Sequence, residues 1–369
     1  MAETEDIPRP DALPGAPHPA ETDALLGQER AEAAVIEAWR AGRLHHAWLL
    51  SGTSGIGKAT LAYRIAAARI SFPNGATPPD TLSLASDHAV RRRIQAGSEP
   101  ALSVVRRMPH EKTGKLRTQI GVDEVRNLKR GLALSAPDGG WRGVIVDAVD
   151  EMTTAAANAL LKVLEEPPER TLMLLVCHAP GDVLPTIRSR CRRLDLATLE
   201  PRALSQALAG VGVTVPPGDL PALAALSGGS VGRAFQLIEG GGIQRYREIV
   251  ALFGPQGIDR PGLLALAEEA GGRGRETVMP MLCDLAVLLL GRMARAGVLG
   301  SPALAAAEEA PVFAALAASP AQARLWAEAA PRIAAATRHA RAVNLDPGQT
   351  ILDMFLDLDT TLARAAALR

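Results

Sequence analysis

Cysteine is scarce in this chain. Cys177, Cys191 and Cys283 stand far apart and fit neither a disulfide framework nor zinc-ligand spacing, so a reducing cytoplasm is the expected setting. Neither sign of charge is in excess. Forty basic and forty acidic residues cancel, so net charge argues neither for nor against a nucleic-acid partner. Aromatic residues make up only 3%, and the Ala- and Leu-rich remainder points to abundant helix. The most apolar stretch, residues 282–290, carries Asp284 and falls short of the roughly 20 residues that span a bilayer. The start is acidic, without the apolar core of a secretory signal, so a soluble protein is expected. With 47% apolar residues, 369 residues suffice for two or three domains.

What is present centres on residues 45–66, HHAWLLSGTSGIGKATLAYRIA. The apolar run 47–50 reads as a buried strand. A glycine-rich turn follows, and Leu61, Ile65 and Ala68 then recur at helical spacing. Gly52, Gly57 and Lys58 fit the phosphate-loop pattern, whose glycines let backbone N–H groups close on a polyphosphate while the lysine reaches the terminal phosphates. Gly52, Thr53, Ser54, Gly55, Ile56, Gly57, Lys58, Ala59 and Thr60 are therefore the expected nucleotide-binding residues, for ATP or ADP. Ala59 stands where such a loop places the Ser or Thr that ligates Mg²⁺, so magnesium is expected to bind weakly or not at all.

Residues 1–22, with five prolines in the first twenty, are expected to form a flexible arm. Order is expected from Asp23, as a helix cap, into a helix through Ile36 and Trp39. Residues 71–100 read as irregular, with a basic cluster at Arg91, Arg92 and Arg93. Such a run is usually a solvated face, with DNA contact as the sharper alternative. Strands are expected at 102–106, 142–147, 172–176 and 193–196. Helices are expected around Val125, Leu128 and Leu132, and from a Thr153 or Thr154 cap through Ala157, Leu160, Leu161 and Leu164 to Pro167 and Pro168. A short basic helix at 184–191 precedes the last strand. Alternating strands and helices indicate an α/β fold with a parallel sheet over 23–196. A small helical lid over 197–243 and a wholly helical domain over 244–369 follow.

The strand after a phosphate loop in an ATPase should end in Asp then Glu, the first for Mg²⁺ and the second for the attacking water. Here it ends in Asp147 followed by Ala148. Asp150 and Glu151 fall past the strand by register, where acids are common at a helix start. With Ala59 and Ala148 both lacking the needed groups, hydrolysis in cis is not expected. Arg190, just before the final strand, lies at a domain edge where it could reach a neighbouring subunit's nucleotide. Its plain alternative is a surface salt bridge, as for Arg188 and Arg192. Arg233, after a glycine turn, could touch a bound γ-phosphate or simply serve a helix contact. Cys191 reads as a buried filler, and Cys177 with His178, like His45 with His46, lacks partners at ligand spacing.

Taken together, Leu26-Gly27-Gln28, His45-His46-Ala47, the loop at 52–58, the string AAANALLKVLEEPP at 155–168 and TIRSRC at 186–191 resemble the AAA+ clamp-loader family. The resemblance covers about residues 23–240, and the later helices fit the family's collar by pattern only. It implies a P-loop AAA+ domain, a lid and a collar, assembled in a pentameric ring with the ATPase gamma/tau and clamp-opening delta subunits. That ring loads a sliding clamp onto primed DNA. It implies further that Arg190 serves as an arginine finger in trans, and that the chain is a non-hydrolysing stator. The alternative within the family is an active ATPase subunit using Lys58 and Asp147 in cis. Many relatives carry a four-cysteine zinc module after the phosphate-loop helix; 71–100 has no cysteine, so no zinc is expected there.

Overall fold

The computed structural model describes residues 12–72, 75–110, 114, 116–133, 139–254, 257–272 and 277–368. Two compact units emerge. The first runs to Thr214 and includes Gly229–Gly232; the second comprises Val215–Gly228 and the chain from Arg233 onward. The division passes through the segment expected to be a lid.

The first unit is a five-stranded parallel sheet built from β1 (Ala47–Ser51), β2 (Leu102–Arg106), β3 (Arg142–Asp147), β4 (Thr171–Cys177) and β5 (Arg192–Asp195), in the order β2-β3-β4-β1-β5. β1 and β4 are buried at every residue and β3 at its four central ones, as strands covered on both faces must be. Period-two alternation splits their side chains between two cores. Trp48, Leu50, Ile145, Leu174 and Val176 join one core. It is covered by α1 (Glu29–Arg40), α2 (Lys58–Ser71) and α3 (Ala89–Gln95). Ala47, Leu49, Val144, Val146 and Leu175 join the other. That core is closed by α4 (Val122–Ala133), α5 (Thr154–Glu165) and α6 (Pro185–Arg188). The edge strand β5 is exposed at Arg192, Arg193 and Asp195, charges that discourage further pairing. This three-layer parallel architecture is the α/β fold expected over residues 23–196.

Several local expectations change. Helix α1 begins at Glu29, and Asp23 caps nothing there but pairs with Arg91. The expected flexible arm is anchored to α2 at His18, which is buried and meets the Tyr63 ring edge-on at 5.5 Å. Residues 1–11 lie outside the described residues. Within the stretch read as irregular, α3 forms because the His88 ring caps it and Val90 and Ile94 are buried. Helix α7 (Pro201–Gly210) completes the first unit's described helices.

The second unit is helical: α8 (Leu220–Ser227), α9 (Val231–Glu239, from Arg233), α10 (Gly242–Ala251), α11 (Arg260–Gly271), α12 (Val278–Leu299), α13 (Glu309–Leu316), α14 (Pro320–Ala342) and α15 (Pro347–Ala366). It is not wholly helical, because Phe253–Gly254 and Gly257–Ile258 pair as a two-residue antiparallel ribbon. Pro331 sits inside α14 instead of ending a helix. Trp326 and Phe355, both fully buried, flank Phe253 edge-on. No described helix is long and apolar enough to cross a membrane.

Candidate functional site

The sheet register brings the carboxyl ends of β1, β3 and β4 level: Ser51 lies opposite Cys177, and Asp147 opposite Val176. In a parallel α/β sheet the crevice outside these ends is the binding site. Residues 52–57 leave β1 here and deliver Lys58 as the first residue of α2. Gly52, Gly55 and Gly57 all take positive φ (147°, 77° and 95°), which side-chain-bearing residues rarely adopt. Gly57 is also the N-cap of α2, with no side chain capping the helix. The loop therefore offers backbone amides and the positive end of a helix dipole, which suits a phosphate.

Lys58 is turned inward. Its Nζ donates to the carbonyls of Gly52 at 2.7 Å and Thr53 at 2.6 Å, and the residue is 3% exposed. Burial pulls its pKa down to about 8, while Asp147 and Asp150 favour the ammonium. Ala59 supplies no hydroxyl and instead packs on the apolar core; Thr60 is buried. Ala148 is 1% exposed and belongs to the same core. The residues thus fit a polyphosphate and do not complete a Mg²⁺ site. Among the described residues no cluster of three or more His, Cys, Asp or Glu could hold a metal.

Asp150 has an architectural task. Its carboxylate accepts from the amides of His178 and Ala179, each at 2.9 Å, and so ties the exit of β3 to the exit of β4. Glu151 pairs with Arg107 at 2.9 Å, and burial raises its pKa. His178 stays neutral, its pKa lowered to about 4 by burial and then by Lys58. Burial pushes the thiols of Cys177 and Cys191 up to about 12, so neither is a nucleophile at neutral pH. His46 contacts the Leu164 carbonyl at 3.0 Å and stacks on His45.

The sequence reading placed Gln28 in one of the matching pieces, but its bracing of the loop, like that of Ser230, escaped it. Gln28, 2% exposed, donates from Nε2 to the carbonyls of Ile56 and Ala197, and its Oε1 accepts from the Ala197 amide. It joins the phosphate loop to the chain leaving β5, a contact 169 residues apart that a Gly-Gln turn in sequence does not announce. Ser230 donates to the Ser54 carbonyl at 2.7 Å, and the Gly232 amide donates to the Gly55 carbonyl at 2.9 Å.

Arg190 sits two residues past the end of α6, ahead of β5. Its Nη1 donates to the Thr186 carbonyl at 3.0 Å and its Nη2 pairs with Glu165 at 2.7 Å. Both side chains remain partly exposed, so the guanidinium is at the surface and tethered. Arg188 donates to the Pro180 carbonyl, and Arg192 lies over the Trp48 ring at 4.7 Å. Arg233 lies in the second unit, where its charge and that of Arg341 stabilise the Asp284 carboxylate against burial. Of the basic cluster, Arg91 pairs with Asp23 and Arg93 with Glu99, and both Arg92 and Arg93 are exposed.

A family profile described as "DNA polymerase III, delta subunit" matches residues 27–200. The delta' subunit of DNA polymerase III from Pseudomonas aeruginosa is 35% identical over 202 residues, 55% of this chain and 58% of that one. The gamma/tau subunit from Mycobacterium tuberculosis is 33% identical over 216 residues, 58% of this chain and 35% of that one. The chain thus spans between about a third and three fifths of the length of these curated relatives. Among solved structures, a gamma subunit-related protein from Thermotoga maritima is similar at 16% identity, covering 90% of this chain and 99% of that one, with a TM-score of 0.38.

Proposed function

We propose that the chain is a clamp-loader subunit of the AAA+ family and acts as a delta'-type stator of a DNA polymerase III clamp loader. In this reading it binds at most a nucleotide's phosphates, does not hydrolyse ATP itself, and supplies Arg190 to a neighbouring gamma/tau subunit. Its partners are gamma/tau and delta subunits in a pentameric ring. Through that ring it acts on the sliding clamp and primed DNA in the cytoplasm.

The observation that carries this reading is the state of the phosphate loop. Lys58 is spent on the loop's own carbonyls, and Ala59 and Ala148 both pack into the apolar core where hydrolysis needs polar groups. Phosphoryl transfer is almost entirely positioning and electrostatics, so losing the magnesium ligand and the water-orienting carboxylate together removes most of what the protein would contribute. What remains is a glycine loop and a helix N-terminus, which suit phosphate oxygens without a cation.

Arg190 supports the second half. An arginine offered to a neighbour's γ-phosphate must be exposed, and must be held by something weak enough to release it. An exposed ion pair meets both needs, being worth about 0–1 kcal/mol.

The test is nucleotide binding and turnover by the purified protein, with and without Mg²⁺, followed by turnover of the loader reconstituted with and without it. No turnover alone, with loss of stimulated ATPase from a loader that lacks it, is expected. Robust Mg²⁺-dependent turnover by the protein alone would make it a gamma/tau-like motor, a reading the M. tuberculosis relative keeps in view.

A further inference from the structure

Glu165 is the last residue of α5, where the helix dipole is negative and an acidic side chain is disfavoured by about 0.3–1 kcal/mol. The chain then turns away through Glu166, Pro167 and Pro168. A glutamate here gains nothing from its own helix. What it does have is Arg190, whose Nη2 it holds at 2.7 Å.

The other end of that guanidinium is also fixed. Nη1 donates to the Thr186 carbonyl at 3.0 Å, within the turn α6, and the turn is pinned by Ile187, 1% exposed in the core under α5. Two anchors therefore set the plane of the arginine, one rigid and one ionic. Only the ionic one competes directly with a phosphate, because both groups bid for the same Nη2 face with negative oxygens. A phosphate carries more charge and accepts bidentately, so it is the stronger ligand.

We infer that Glu165 is a positioning residue for Arg190: it parks the guanidinium at the domain edge, and exchange of Glu165 for the neighbour's terminal phosphate sets how readily that neighbour's site is completed. The inference rests on the reading of Arg190 as a trans arginine. Exchange returns a carboxylate to water at a position where it is already 47% exposed, so the parked state costs the incoming phosphate little. Parking keeps Arg190 from other anions when no nucleotide is opposite, and tunes affinity in the loaded ring without contributing to the chemical step.

The test is steady-state ATP turnover by the loader reconstituted with gamma/tau and delta subunits around four forms of this chain: unaltered, Glu165→Gln, Arg190→Ala, and both together. Glu165→Gln is expected to lower the KM for ATP by about two- to five-fold, the range of an exposed ion pair, with kcat unchanged within about two-fold. In the Arg190→Ala background the same substitution should change nothing, since the two residues act through one contact. If Arg190→Ala itself leaves turnover intact, the trans-arginine reading falls and this inference with it. If Arg190→Ala depresses turnover while Glu165→Gln leaves KM unmoved, or moves it equally in both backgrounds, the reading stands and the parking role of Glu165 is overturned. Thermal unfolding of the single variants separates these outcomes from misfolding, because exposed side chains at this pair should leave stability unchanged.

Discussion

Gly55 and Gly232 meet backbone to backbone: the Gly232 amide donates to the Gly55 carbonyl at 2.9 Å, and a Cβ built on Gly232 would stand 2.9 Å from the Gly55 Cα. The centre of the phosphate loop is thereby sealed against the segment 229–232, with Ser230 reinforcing the joint. No flexible side chain is available to yield at that contact.

Gly232→Ala is therefore expected to destabilise the first unit by about 1–3 kcal/mol, the usual cost of forcing a methyl into a filled site. Gly212→Ala makes a useful contrast. No atom lies within 4 Å of its Cβ, so its cost comes from its positive φ alone. Urea denaturation of both variants checks this, and a Gly232→Ala midpoint equal to that of the unaltered chain would show that the Gly55–Gly232 joint gives way freely.

Arg190→Ala should fold normally, with unfolding unchanged within about 1 kcal/mol, because its ion pair is exposed. Turnover at the single site it serves should fall steeply, since an arginine supplied in trans is worth ~10³–10⁵ where it has been dissected. Single-turnover hydrolysis by the assembled ring measures this directly. Undiminished turnover would return Arg190 to an ordinary surface residue.

Lys58 predicts a pH dependence. In the folded chain its pKa is lowered from 10.5 to about 8, so the ammonium that attracts phosphate is present below pH 8 and lost above it. Magnesium-free ATP binding, followed by titration calorimetry, should weaken as pH rises from 7 to 9. The same shift carries the opposite sign for stability. The unfolded chain binds the proton more readily, so the penalty for the buried ammonium is full below about pH 8 and is relieved between 8 and 10.5. Binding that is flat across this range would show that Lys58 stays with the Gly52 and Thr53 carbonyls.

Ala59→Ser and Ala148→Glu separate the two lost functions. Serine at 59 adds one hydroxyl at a half-buried helix position and should introduce a magnesium dependence into nucleotide binding. Glutamate at 148 enters a site 1% exposed among core residues, and should cost about 2 kcal/mol or more without restoring hydrolysis. Nucleotide affinity with and without Mg²⁺, together with thermal melts, distinguishes them. A stable, hydrolysing Ala148→Glu protein would show that the β3 exit can still be rebuilt as a catalytic site.

In the second unit, Glu309 is fully buried and accepts from Arg292 through both oxygens, from the Tyr246 hydroxyl and from the Ala305 amide. Glu309→Ala should cost about 3–5 kcal/mol, because it strands the Arg292 charge, itself 3% exposed. Tyr246→Phe should cost nearer ~1 kcal/mol, since the carboxylate keeps its other donors. Chemical denaturation of the two variants tests the ranking.

Local pattern carried the sheet. Strands covered on both faces need unbroken apolar runs, and these are visible at 47–50, 144–146 and 172–176, as are the glycine loop before Lys58 and the Thr153 cap of α5. The gaps at Ala59 and Ala148 were legible for the same reason, since a motif with fixed spacing names the position where a group is missing. The Asp23 cap failed because α1 starts only at Glu29, five residues beyond the position Asp23 could cap, and Asp23 pairs with Arg91 instead. The loop's inward lysine, the Gln28 bridge to Ala197, the Asp150 tie to β4, the Gly55–Gly232 seal and the Glu165 hold on Arg190 were decided by the tertiary structure alone. Apart from the lysine, which bonds carbonyls five and six residues back in its own loop, each is a polar contact between segments well separated in the chain, set by which strand ends the crossovers bring level. Hydrophobic period and spacing record what a residue's own element requires, whereas the partner of a buried amide or a half-exposed guanidinium exists only once the sheet has closed.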